Sequence, residues 1–352
     1  LVEIVKNLKD KGFAMNKLVS ALGLAGAVLG LRQMGKQAPI SFQGSSVVIT
    51  GGSRGLGLVL ARQFAREGAH LTLLARDETE LAQAKEELGN ETLTVSCDVG
   101  NRQQVQDAIR QVIDRYGKID VLINNAGVIQ VAPLEHLELE DFSDAMAVHL
   151  WGPLYTTLTA LPHLRQQGGG RIVNISSIGG RVAVPHLLPY SASKHALVGL
   201  SDGLRAELAK DKIYVTTVSP GLMRTGSHMN AFFKGRNEKE FTWFALGDSN
   251  PLLSISAERA AHQIIEACRI GKPELTITWQ ARFATLFNII FPDATAVLTR
   301  FANNVILPKP TGNPEDSRLK TGWESQSSLA PSPLTTLADQ ATKENNEEIR
   351  RV

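Results

Sequence analysis

Seven short apolar runs, at 47–50, 71–75, 93–96, 121–124, 172–176, 215–219 and 275–278, recur through the middle of the chain, and the stretches between them carry apolar residues at helical spacing. Runs that are apolar at nearly every position predict strands buried on both faces, and helices between successive strands predict parallel pairing. The pattern predicts an α/β fold, a doubly wound parallel sheet of seven strands with helices on both faces. Such sheets bind ligands beyond the carboxyl ends of their strands, where the strand order reverses. Asp98, Asn124, Ser177 and Pro220 each fall at or just past a predicted strand end.

Outside that core the pattern changes. Residues 18–31 are uncharged and apolar between Lys17 and Arg32, which predicts an N-terminal apolar helix within an extension at 1–41. Fourteen residues rise about 21 Å as a helix, short of a hydrocarbon core of roughly 30 Å, so the expectation is a helix lying on a membrane or on the domain. Met15-Asn16-Lys17 reads as the natural start, with 1–14 as upstream sequence. Beyond the core at 42–279, a C-terminal helical extension is expected at 280–310, two short helices with broad apolar faces broken at Pro292. Packing over the core, a dimer contact, a membrane contact and a lid over a lipophilic substrate all remain open for it. Residues 311–352, rich in Ser, Thr, Pro, Asn and Glu, read as a disordered tail.

Composition mainly excludes. With a net charge of +2 and its Lys and Arg dispersed, the chain offers no stripe for nucleic acid. Its two cysteines, Cys97 and Cys268, make no framework, and the eight histidines show no metal-ligand spacing, so no metal is expected. A reducing compartment follows, and the expected location is cytoplasmic, with membrane association through the N-terminal helix.

Candidate chemistry starts at Thr50-Gly51-Gly52-Ser53-Arg54-Gly55-Leu56-Gly57, between the first predicted strand and a helical pattern. A strand, a tight glycine turn and a helix in succession aim bare amides and a helix N-terminus at a pyrophosphate. Far along the chain, Tyr190 and Lys194 stand four apart, on one face of a helix. A phenol titrates near pH ~10, about three units or ~4 kcal/mol above the value that suits a general acid. One positive charge at about 4 Å supplies roughly that much at an effective dielectric of 20, and about 1 kcal/mol in water. A sheltered cleft is therefore required.

Together these residues resemble the short-chain dehydrogenase/reductase family, in its classical branch. The glycine spacing, Asn124-Asn125-Ala126-Gly127, Asn174-Ile175-Ser176-Ser177 thirteen residues before Tyr190, Asp98-Val99, and Pro220-Gly221 followed by Thr225 all match that family's motifs, over residues 42–279. The resemblance implies a Rossmann-like sheet and hydride transfer between nicotinamide and a carbonyl or secondary alcohol. It implies Tyr190 as acid and base, Ser177 as holder of the substrate oxygen, and Lys194 as the charge that tunes Tyr190. Gly51, Ser53, Arg54, Gly55, Leu56, Gly57, Asp98, Val99, Asn125, Ala126, Gly127, Tyr190, Lys194, Pro220, Gly221 and Thr225 are implied cofactor residues. Homo-oligomers and a small-molecule partner follow from the same resemblance. One departure is His149, where the family places an asparagine that supports the lysine; it joins the catalytic candidates.

Arg76 ends the second predicted strand, nineteen residues past Gly57, where an acid would hold the ribose hydroxyl of NAD. An arginine there pairs with a 2′-phosphate, with Arg54 as a second cation, so NADP(H) is expected over NAD(H). Asp77, one residue later, reads with Glu80 as a helix N-cap. Phe232, Phe233, Phe241, Trp243 and Phe244 suggest an apolar pocket and a lipophilic substrate. The alternative is a catalytically silent NADP-sensing binding protein of the same fold.

Overall fold

The computed structural model describes residues 39–348. Contacts divide the chain after Ile40, and every element below belongs to the unit Ser41–Val352. The apolar run at 18–31 lies outside the described residues.

Strands β1 (Ser46–Thr50), β2 (His70–Ala75), β3 (Leu93–Ser96), β4 (Val121–Asn124), β5 (Gly170–Ile175), β6 (Ile213–Pro220) and β7 (Glu274–Ile277) form the central sheet. Their order is β7-β6-β5-β4-β1-β2-β3, and every neighbouring pair is parallel. The order reverses between β1 and β4, so the crevice beyond their carboxyl ends is the fold's natural ligand site. Val47, Val48 and Ile49 of β1 are wholly buried, as a strand covered on both faces requires.

Helices cover both faces. α1 (Gly55–Arg66) buries Leu56, Leu58, Val59, Leu60 and Phe64. α2 (Arg102–Tyr116) buries Val105, Ala108, Ile109 and Val112, one stripe at helical spacing, each aliphatic side chain worth about 1.5–3 kcal/mol. Its ends are set locally. The Asn101 side chain caps the start by accepting from the amides of Gln103 and Gln104, and Gly117, at φ 70°, closes the last turn. α3 (Leu188–Leu208) carries Tyr190 and Lys194. α4 (Asn237–Ser249) covers the far side of the crevice with Trp243 and Phe244.

α5 (Trp279–Ile290) and α6 (Pro292–Phe301) are the expected pair broken at Pro292, bent by 119°. Trp279, Phe283, Leu286, Ile289, Phe291 and Leu298 are each more than half exposed. Among the described residues no single helix is long and apolar enough to cross a membrane.

The disordered tail expected at 311–352 is corrected by the structure over its described part, 311–348. Lys320–Thr321 pairs antiparallel with Phe232–Phe233, and α7 (Thr336–Glu344) packs on α4. The segment buries small and polar residues, among them Ala330, Thr335, Ala338, Asn345 and Glu347. With no run of large apolar side chains, composition alone gave no sign of it.

Candidate active site

The glycine loop is fastened from behind. Thr50 Oγ1 accepts the amides of Asn125 (2.9 Å) and Ala126 (3.0 Å), while Asn125 Nδ2 donates to the carbonyls of Thr50 (3.1 Å) and Gly51 (3.0 Å). Gly51 has φ +61°, and a Cβ there would lie 2.9 Å from Ala126 Cα. Gly57 presses on the carbonyl of Gly51 too closely for any side chain. The start of α1 has neither a side-chain cap from Arg54 nor an acidic residue in its own first turn, so its positive end takes acceptors from outside the helix.

Across the crevice, Ser177, Tyr190 and Lys194 line one cavity of about 540 Å³ together with Gly51, Ser53, Arg54, Gly55 and Leu56 of the loop. Lys194 is buried, and its Nζ donates to the carbonyl of Ile175 at 2.8 Å while standing 5.6 Å from the centre of the Tyr190 ring. Ser177 Oγ accepts from the amide of Gly179 and is hydrogen-bonded to Tyr190. Ser176, the rival serine, turns away and donates to the carbonyl of Lys194 at 3.0 Å.

Electrostatics here run against the simple expectation. Burial pushes the Tyr190 phenol up, the hydrogen bond from Ser177 pulls it down, and the Asp248 carboxylate raises it. Burial also lowers Lys194 to about 7. Burial thus disfavours the charged amine, which weakens the help Lys194 gives the neighbouring phenol.

His149 sits wholly buried in one π-helical turn, Ala147–Trp151. Its Nε2 accepts from the amide of Val128 (3.1 Å), and its Nδ1 lies 2.8 Å from Ser193 Oγ, which itself donates to the carbonyl of Tyr190. That pattern requires a neutral ring protonated on Nδ1. Burial and the nearby Lys194 charge hold its pKa well below the usual value, in agreement. Both ring nitrogens of His149, expected among the catalytic residues, are taken by Val128 and Ser193, so its side chain is held in place within this turn. It fixes the first turn of α3, and its ring stands edge-on to Tyr190 at 5.4 Å.

A family model described as short chain dehydrogenase matches residues 45–234, more than half of the chain. The chain belongs to the short-chain dehydrogenase family. Dehydrogenase/reductase SDR family member 7B of Danio rerio is 38% identical over 200 residues, which cover 54% of this chain and 65% of that protein. 3-Ketodihydrosphingosine reductase of Mus musculus is 33% identical over 214 residues, covering 58% of this chain and 64% of that protein. This short-chain dehydrogenase thus spans just under two thirds of either relative. Among solved structures, L-sorbose reductase from Gluconobacter frateurii, complexed with NADPH and L-sorbose, superposes with a TM-score of 0.61 at 26% identity, over 68% of this chain and 97% of that one.

Most of the expected cofactor residues meet in the cavity of this dehydrogenase. Arg76, Asp98, Val99, Asn125, Ala126, Gly127, Gly221 and Thr225 line it, while Gly57 and Pro220 stand behind its wall. Arg76 is exposed, and its guanidinium makes no ion pair or hydrogen bond among the described residues. Arg54 differs from expectation: Nη1 pairs with Glu80 at 3.0 Å and also meets Asn230. Asp77 caps the helix Glu78–Leu88 by accepting from the amide of Glu80. Phe232, Trp243 and Phe244 line the cavity, whereas Phe233 and Phe241 are core. Asp248, Asn230 and Glu347 are lining residues not singled out from sequence. Burial pushes the Asp248 carboxyl up to about 7, while His228 and a hydrogen bond with Ser227 pull it down and Glu347 raises it further; Asn230 and Glu347 reach the loop. Only the three-dimensional path of the tail reveals Glu347.

Lys194 has a measurable cost. Below about pH 7 the folded and unfolded chains both carry its proton, and the full penalty of burying the charge is present. From about 7 up to 10.5 the unfolded chain alone holds that proton, so stability rises with pH. Lys194→Met is expected to raise the melting temperature near pH ~6, by about 2–4 °C per kcal/mol relieved, with the gain shrinking towards pH ~10. Calorimetry at both pH values checks this; a gain independent of pH contradicts it.

Proposed function

We propose that this short-chain dehydrogenase is an NADP(H)-dependent oxidoreductase that moves a hydride between nicotinamide and a carbonyl or secondary alcohol of a lipophilic small molecule. The observation that carries the reading is that Ser177, Tyr190 and Lys194 share one cavity with the glycine loop. The residues present fit a dinucleotide: an unsubstituted backbone at Gly51, a helix start with no side-chain cap of its own, and Arg76 with its planar fork uncommitted among the described residues for a 2′-phosphate. When bound, the cofactor supplies or accepts the hydride. Ser177 holds the substrate oxygen and steadies its developing charge, an effect of about 10²–10³ in rate. Tyr190 gives that oxygen its proton, and Lys194, anchored on the Ile175 carbonyl, stabilises the phenolate left behind. His149 keeps the turn that presents both. Val184, Leu187, Leu222, Phe232, Trp243 and Phe244 make the remaining wall apolar, which favours a lipophilic substrate.

The test is a panel of long-chain ketones, aldehydes and secondary alcohols assayed with both coenzymes, with Tyr190→Phe as the blank. Oxidation of NADPH by at least one lipophilic carbonyl is expected. Tight NADP(H) binding with no turnover would instead identify a cofactor-sensing protein.

The exposed apolar face of α5 and α6 favours one addition, peripheral contact with lipid. Each buried phenyl or leucyl side chain contributes about 1.5–3 kcal/mol. Phe283→Glu with Leu286→Glu is therefore expected to weaken co-sedimentation with phosphatidylcholine vesicles by more than about tenfold. Equal partition of variant and parent would remove the lipid contact.

A further inference from the structure

The C-terminal end of the described chain lies across the glycine loop. After α7 the chain turns through Asn346, at φ 58°, and sets three residues over the start of α1. The carbonyl of Asn345 accepts the amide of Gly55 at 2.9 Å. Asn346 Nδ2 donates to the carbonyls of Ser53 (3.0 Å) and Glu80 (3.3 Å). One carboxylate oxygen of Glu347 stands directly over Gly55, where it would meet any Cβ, and the other accepts from Asn230 Nδ2 at 2.6 Å. From the first turns of α1, Arg62 secures the segment by donating to Asn345 Oδ1 (3.1 Å) and to the carbonyl of Glu344 (2.7 Å).

A carbonyl and a carboxylate at the positive end of a helix take the place that phosphate oxygens take in nucleotide loops. Glu347 is 5% exposed, and its carboxyl, pushed above the ordinary range by burial, is enclosed with Asn230 and close to Arg54. A second anion has no room there while Glu347 stays. The hold consists of hydrogen bonds and small side chains, and α7 is anchored separately through Ala338 and Ala341, so the last residues can leave without unfolding the helix.

We propose that Asn345–Glu347 are a built-in competitor for the pyrophosphate site: closed, this strap fills the glycine loop, and dinucleotide binds only the form in which it is released. The inference rests on the reading that the loop holds the cofactor's pyrophosphate. A strap closed about nine-tenths of the time weakens apparent affinity about tenfold, because only the open fraction binds.

The experiment titrates NADPH and NADP⁺ by cofactor fluorescence into the parent protein, Glu347→Ala and a chain ended after Glu344, and follows amide hydrogen exchange at 342–348 in the parent. Both altered proteins are expected to bind about tenfold more tightly or better, and NADPH is expected to speed exchange in the parent's strap. Equal or weaker binding by both, or strap amides that gain protection with NADPH, would overturn the strap and leave the cofactor site standing. No binding by any of the three proteins would overturn the site and the strap together.

Discussion

Tyr190→Phe is expected to lose about 10³-fold in kcat for carbonyl reduction while binding NADP(H) as tightly as the parent. General acid catalysis contributes about 10²–10⁴ in rate, and the substitution removes the proton without removing the ring. The ring's neighbours remain: His149 stands edge-on to it at 5.4 Å, and Gly179 leaves it room. Because burial keeps the phenol protonated through neutral pH, reduction should be flat there, and oxidation of an alcohol, which needs the phenolate, should climb as pH rises. Steady-state rates in both directions, with Kd from fluorescence quenching, measure this. Turnover within about tenfold of the parent would remove Tyr190 as the acid.

Arg76→Asp should exchange the coenzyme preference, shifting the ratio of kcat/KM for NADPH over NADH by about 10²–10³. A charge-assisted pair contributes roughly 1.5–3 kcal/mol, and each 1.4 kcal/mol is tenfold. The aspartate adds repulsion towards a 2′-phosphate and gains an acceptor for a ribose hydroxyl. One substitution should suffice, because Arg54 is committed to Glu80 at 3.0 Å and Arg76 is not committed among the described residues. The reading fails if the parent already turns over NADH faster than NADPH.

The sheet was legible because its central strands, β1 and β4, are short and buried on both faces. The runs at 47–50 and 121–124 coincide with β1 and β4 within a residue. The site residues were legible because the loops that carry them start where strands end. Depth was not legible. Spacing puts Lys194 beside Tyr190 but does not show that Nζ is spent on the Ile175 carbonyl in a cavity where burial lowers its pKa to about 7. Side-chain commitment was equally hidden: Arg54 read as a free cation, and His149 gave no hint that Val128 and Ser193 take both its nitrogens. The tail misled for a related reason. Asn345, Asn346 and Glu347 are residues that composition assigns to water, and here their polar atoms complete the amides and carbonyls around Gly55.

Transfer of deuterium from NADPH labelled at nicotinamide C4 is the most direct check on a hydride-transferring cavity built from Ser177, Tyr190, Lys194 and the glycine loop. With a lipophilic ketone that turns over, mass spectrometry should find the label on the new carbinol carbon, about one atom per NADPH oxidised, and none of it in product made by Tyr190→Phe within the same time. NADPH consumed with no label in the product, or no carbonyl in the panel reduced at all, would contradict the account.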